Sequence, residues 1–147
     1  MKYNQRVKIE NVDFKIVNQA FHSINFVNFL TSFQPVKIIN WSGVKDGDEA
    51  YFKLWFFGWK DFKVKHEKYE VSEVKLSFID RGIKLPLGID SWEHTHIVKM
   101  DKGHTIIKDK VCFTHSNNFL SYLLYPILIF PIFIRKLLYK VYFIKHH

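Results

Sequence analysis

Apolar residues alternate with polar ones over six successive stretches in the middle of the chain, the mark of strands with one dry face. The stretches are residues 36–43 (VKIINWSG), 50–59 (AYFKLWFFGW), 61–71 (DFKVKHEKYEV), 73–80 (EVKLSFID), 90–100 (DSWEHTHIVKM) and 104–115 (HTIIKDKVCFTH). Turn signals such as the Asp-Gly in residues 45–49 and the DKG of residues 101–103 separate them, and no helical pattern intervenes. Six strands in a row without a crossover segment have to run antiparallel, as a meander.

Outside this block the period changes. Residues 6–12 (RVKIENV) alternate well enough for a first strand, and Asp13 then suits the N-cap of a helix. Phe14, Val17, Phe21, Ile24, Val27 and Leu30 follow at helical spacing, with Ser23 and Asn25 predicted to divide the segment into two short helices and Pro35 to end it. At the other end, residues 117–134 are apolar and interrupted by Pro126 and Pro131, while residues 135–147 are basic and amphipathic. The 19 uncharged residues 116–134 reach the length of a membrane span. Two internal prolines and a polar start argue instead for a helix buried against the sheet.

Strand periodicity also decides which side chains can act together. In residues 91–100, Trp92, His94, His96, Val98 and Met100 share one face, and Glu93 points to the other. The apparent His-Glu-His cluster therefore dissolves. If Met100 lies opposite Thr105 across the DKG turn, His96 faces Asp109, His94 faces Val111 and Trp92 faces Phe113. An Asp beside a His fixes the tautomer and raises the imidazole pKa, which orients a catalytic base and equally satisfies a buried polar pair. For a metal, His94, His96 and Asp109 offer three ligands, with His66 and His115 more distant in sequence. The lack of a Cys pair or a helical His-x-x-x-His argues against zinc, so neither metal nor cofactor is expected.

Composition narrows the class. The chain's 147 residues suit one domain with a core of its own, and the lone Cys112 cannot form an internal disulfide, which points to a reducing, cytoplasmic setting without a secretory leader. The formal charge of +8 comes from lysines spread along the chain, so no nucleic-acid footprint is expected. Phe, Tyr and Trp make up 18% of residues, more than a small core packs efficiently, which suggests a lined cavity. Trp41, Trp55 and Trp59 are candidates for that lining, with an ordinary core role as the alternative. Nothing is read from the terminal His146 and His147.

One strand, two short helices, six antiparallel strands and a C-terminal helix make a distinctive order, and the motifs within residues 76–113 sharpen it. Phe78 and Asp80, Pro86 and Gly88, Trp92-x-His94-x-His96, Gly103 and Thr105, then Asp109-x-Val111-x-Phe113 follow in sequence. This resembles the START/SRPBCC superfamily, in particular its bacterial ligand-binding and polyketide-cyclase-like group. His104 interrupts the Gly-Thr pair, and Arg135 precedes rather than follows its aromatics.

The resemblance implies an α+β helix-grip fold in which a seven-stranded curved antiparallel sheet wraps a long C-terminal helix and leaves a cavity between them. It implies a hydrophobic small-molecule ligand, lipid-like or polyketide-like, contacted by Trp55, Trp92, His94, His96, Val98, Asp109, Val111 and Phe113 from the sheet and by Phe130 and Ile134 from the helix. A cyclase- or dehydratase-like activity would rest on His96 and Asp109. A lipid carrier touching membrane surfaces is the remaining expectation, motivated by the apolar residues 119–134 beside Arg135, Lys136 and Lys140.

Overall fold

The computed structural model describes residues 1–145. Its elements are β1 (Lys2–Ile9), α1 (Phe14–Phe21), α2 (Ile24–Thr31), β2 (Val36–Trp41), β3 (Glu49–Trp55), β4 (Trp59–Val71), β5 (Lys75–Lys84), β6 (Ser91–Asp101), β7 (His104–Thr114), α3 (Asn118–Phe133) and α4 (Arg135–Lys145). The strands form one antiparallel sheet in the order β1-β7-β6-β5-β4-β3-β2. This is the expected α+β helix-grip architecture.

Local chemistry explains the punctuation. Asp13 caps α1 by accepting from the Lys15 amide, and Ser23 caps α2 by accepting from the Asn25 amide, so a fresh N-terminus starts where one continuous helix would otherwise run. The first strand sits at Lys2–Ile9 rather than 6–12, because its register against β7 runs from Lys2 opposite Cys112 to Ile9 opposite Thr105. Asn11, at φ 59°, turns the chain before Val12. The predicted strand through residue 59 instead folds at Phe57 and Gly58, both with positive φ, into the β3–β4 hairpin. Register shifts along β4, with Lys68 at φ 53°, bend the long central strands around the helix.

The C-terminal helix is one long run divided at Ile134. Pro126 and Pro131 lie inside α3 and supply no amide hydrogens to the helical ladder. The Gln5 side chain crosses from β1 and donates to the Ile132 carbonyl at 2.9 Å, fastening the helix to the sheet next to the division. Among the described residues, no helix is long and apolar enough to cross a membrane.

Two apolar clusters hold the layers together. In one, Phe14, Val17, Phe21 and Phe26 of the short helices meet Leu76, Phe78 and Val98 of the sheet and Tyr139 and Phe143 of α4. In the other, Leu124, Leu128, Ile129 and Ile132 of α3 cover Val64, Trp92, Val111 and Phe113. A layer of polar side chains lies where the clusters meet. His96 stacks on Phe78 of the first, with ring centroids 4.4 Å apart, and His94 stands edge-on to Trp92 of the second at 6.5 Å.

Candidate functional site: a polar cluster at the end of an apolar cavity

The inner faces of β5, β6 and β7 place Asp80, His94, His96 and Asp109 side by side. The β6–β7 register is the one the sequence predicts: His96 lies opposite Asp109, His94 opposite Val111 and Trp92 opposite Phe113. The hydrogen bonding is different. Asp109 Oδ1 accepts from His94 Nε2 at 2.8 Å, whereas His96 Nδ1 stands 3.6 Å from the same oxygen. His96 turns to the neighbouring strand and bonds Asp80 Oδ2 through Nε2 at 2.8 Å. Asp80 is itself the register partner of His94, so each carboxylate bonds the histidine on the diagonal. The expected His96–Asp109 pair is therefore replaced by two crossed pairs, because stacking on Phe78 and on His94, at 3.8 Å between His ring centroids, sets where the His96 nitrogens point.

Asp109 is wholly buried and well supplied with donors. Gln5 Nε2 reaches Oδ2 at 3.0 Å and the Tyr139 hydroxyl lies 3.1 Å from it, in addition to His94. Burial alone would raise its pKa, but the hydrogen bond and charge of His94 outweigh that and hold it well below the carboxylate range. Asp80 is likewise depressed: burial works against ionisation, and His96 and His66 overcome it. Burial and the adjacent His96 push His94 down to about 4, so its imidazole is neutral at pH 7. His66 goes the other way. Burial opposes its charge, yet Asp80 and the Asp48 carbonyl raise its pKa overall. Burial raises the Tyr139 hydroxyl well above its ordinary value.

Among the described residues, three buried atoms in this cluster have no assigned hydrogen-bond partner: His96 Nδ1, Asp80 Oδ1 and Arg135 Nε. Asp80 Oδ1 does have an ionic neighbour, His66 Nε2 at 2.9 Å. The ligand atoms of Asp80, His94 and His96 fall within 4.8 Å of one another.

Beside the cluster opens a cavity of about 220 Å³ between sheet and helix. Asp80, His94 and Arg135 form its polar end, Val64, Trp92 and Leu128 are part of its apolar wall, and Trp55, Phe130 and Phe33 surround its mouth. A smaller space of about 70 Å³, lined by Trp41, His66, Phe78 and His96, touches Asp80 and Arg135 from the other side. Of the residues the sequence nominated, Trp55, Trp92, His94 and Phe130 thus line the larger cavity and His96 the smaller. Val98, Val111 and Phe113 do point inward, but the helices pack over them and they belong to the core; Ile134 packs against that core and Asp109 sits behind His94. Trp59 stands largely exposed with the Lys37 ammonium 4.0 Å above its ring. Glu93 lies on the outer face, paired with Arg81 at 3.1 Å.

The sequence pattern alone gives no role to Gln5, Tyr139, Asp80 or the inward-reaching Arg135. The period-two face of Leu76, Phe78 and Asp80 carried the signal for Asp80, and Val7 and Ile9 carried it for Gln5. His146 and His147 lie outside the described residues.

No protein-family model and no curated protein matches the sequence. Solved structures do match. Protein Ms6760 from Mycobacterium smegmatis superposes with a TM-score of 0.71 at 9% identity over 99% of this chain and 92% of that one. Norcoclaurine synthase from Thalictrum flavum, in complex with dopamine and hydroxybenzaldehyde, gives 0.69 at 13% identity over 100% and 88%. Ara h 8.0201 gives 0.52 at 13% identity over 96% and 97%. At such identities the likeness concerns architecture: the chain has the helix-grip fold these structures share.

Proposed function

We propose that this protein binds a small apolar molecule in the cavity between its sheet and C-terminal helix, with the ligand's polar end toward Asp80, His94 and Arg135. The observation that carries the reading is the cavity itself, apolar along its walls and polar at one end. Ligand sites are mostly apolar with a few convergent polar groups and span roughly 300–1,000 Å³, so a cavity of about 220 Å³ suits a compact ligand. Norcoclaurine synthase, whose structure holds dopamine and hydroxybenzaldehyde, supports the use of this fold for small aromatic molecules.

Titration with 8-anilinonaphthalene-1-sulfonate, followed by its fluorescence and by displacement with aliphatic alcohols, tests the reading. Val64→Trp fills the wall, and weakening of probe binding by ~10-fold or more is expected, since about two kcal/mol of apolar contact is displaced. Unchanged binding in that variant, at unchanged stability, would contradict it.

A second reading, exchange of lipid-like ligand at an anionic membrane surface, is favoured by one observation. Phe119, Leu123, Phe130, Phe133 and Leu137 are exposed at helical spacing along the outer face of the C-terminal helix. Lys136 lies with its ammonium 5.0 Å from the Phe133 ring, and Lys140 follows one turn on. An apolar stripe with lysines beside it suits an interfacial helix, with the rings in the acyl boundary and the ammonium groups at lipid phosphates. Co-sedimentation with phosphatidylglycerol vesicles at low salt, reduced by Phe130→Ser with Phe133→Ser, is the expected result. Failure of the wild type to co-sediment rejects this second reading.

A further inference from the structure

We propose that Asp80, His94 and His96 form a binding site for one divalent transition-metal ion, of the zinc or ferrous class, at the polar end of the cavity. The conflict among lone pairs is the starting point. Asp109, ionised, takes the hydrogen on His94 Nε2, which leaves the neutral His94 ring with a lone pair on Nδ1. That nitrogen faces Asp80 Oδ2 at 4.0 Å, negative toward negative. His96 Nε2 bonds Asp80, and its Nδ1 stands 3.6 Å from Asp109 Oδ1 without a hydrogen-bond partner although the residue is only 5% exposed. A cation held by His94 Nδ1, His96 Nε2 and Asp80 Oδ2 resolves both. His96 then carries its hydrogen on Nδ1 and gives it to Asp109, and each lone pair meets positive charge.

The distances suit this. Ligand bonds of about 2.0–2.1 Å in tetrahedral array place ligand atoms roughly 3.3 Å apart. The Asp80 Oδ2 separations of 2.8 Å to His96 Nε2 and 4.0 Å to His94 Nδ1 straddle that value, so small rotations of rings on adjacent strands close the site. Supporting groups are in place as well. Asp109 backs His94 in the carboxylate–histidine arrangement that fixes metal-ligand tautomers, and His66, held by the Asp48 carbonyl at 3.0 Å, stands 2.9 Å from Asp80 Oδ1. Two imidazoles and one carboxylate match zinc and ferrous iron better than calcium or magnesium. Because Asp80 and His94 also line the larger cavity, a fourth position on the ion opens toward it. There the ion is a Lewis acid for an oxygen or nitrogen at the ligand's polar end.

The site stands independently of which apolar molecule enters. Chelator-treated full-length protein is titrated with Zn²⁺ by calorimetry, with bound zinc counted by elemental analysis and its surroundings read by X-ray absorption. One equivalent per chain, with imidazole scattering from two ligands, is expected. The His94→Ala/His96→Ala double variant and Asp80→Ala are expected to lose the ion, and Asp109→Asn to weaken it by ~10–100-fold. No zinc uptake by the wild type, or uptake that persists in the double variant, overturns the proposal. The absorption spectrum of the wild type decides the matter without any variant: a bound ion lacking imidazole neighbours also overturns it.

Discussion

Asp109 shows most directly what a single buried residue does in this molecule. It is wholly buried, ionised, and receives His94, Gln5 and Tyr139 from three different elements. Asp109→Asn removes the charge and turns an amide donor toward donors, so a loss of about 3 kcal/mol in urea unfolding is expected. The histidines make the fold sensitive to acid. His94, ordinarily 6.5, is pushed down to about 4 in the folded chain. The unfolded chain therefore takes up a proton in that interval which the folded chain refuses. The stabilisation is complete above pH 6.5 and declines as pH falls toward 4, by up to roughly 3 kcal/mol. His66, whose pKa is raised, acts oppositely: its contribution is present below pH 6.5 and fades as pH rises through its folded value. For metal-free protein, urea stability is expected to drop between pH 6.5 and 4.5, and His94→Gln to flatten that slope. Equal slopes in the two proteins would contradict the assignment to His94.

Elements follow from punctuation that is visible in sequence. Asp13 and Ser23 occupy N-caps, the helical pattern stops before Pro35, and strand alternation predicted the β6–β7 register residue by residue. Asp13→Ala should cost about 1 kcal/mol in thermal or urea unfolding, with the α1 amides exchanging faster in hydrogen–deuterium exchange. What alternation cannot convey is which diagonal a side chain takes once it faces inward. Asp109 opposite His96 looked like a pair, and ring stacking on Phe78 sent His96 to Asp80 instead. The same limit applies to β1, where polar residues 2–5 disguised a strand whose Gln5 faces in and ties Asp109 to the helix carbonyl of Ile132. At Phe57 and Gly58 a run of aromatics masked the hairpin tip.

Across the whole molecule, the polar layer and the smaller space lie where the two apolar clusters meet, and the larger cavity opens within the second cluster. A polar network of this size costs more to desolvate than apolar side chains of equal volume, so a purely structural role gives it little advantage. Among the described residues, the buried His96 Nδ1 and Arg135 Nε of this layer lack a hydrogen-bond partner, which sets them apart from most buried polar atoms. Order of elements and motif spacing made the cavity legible in sequence; the exposed stripe on α3 and α4 was legible only as excess hydrophobicity, since a buried and an exposed apolar face look alike before the sheet is placed. Leu124 sits on the inner stripe and Leu123 on the outer, next to each other in sequence.

The most direct measurement is nitrogen-15 NMR of the uniformly labelled protein titrated with 8-anilinonaphthalene-1-sulfonate, following the four tryptophan indole signals. The account predicts saturable shifts of Trp92, in the cavity wall, and of Trp55, at its mouth, together with the backbone amides of Val64 and His94. Shifts confined to the exposed outer face of α3, with Trp92 and His94 unmoved at saturation, would contradict it.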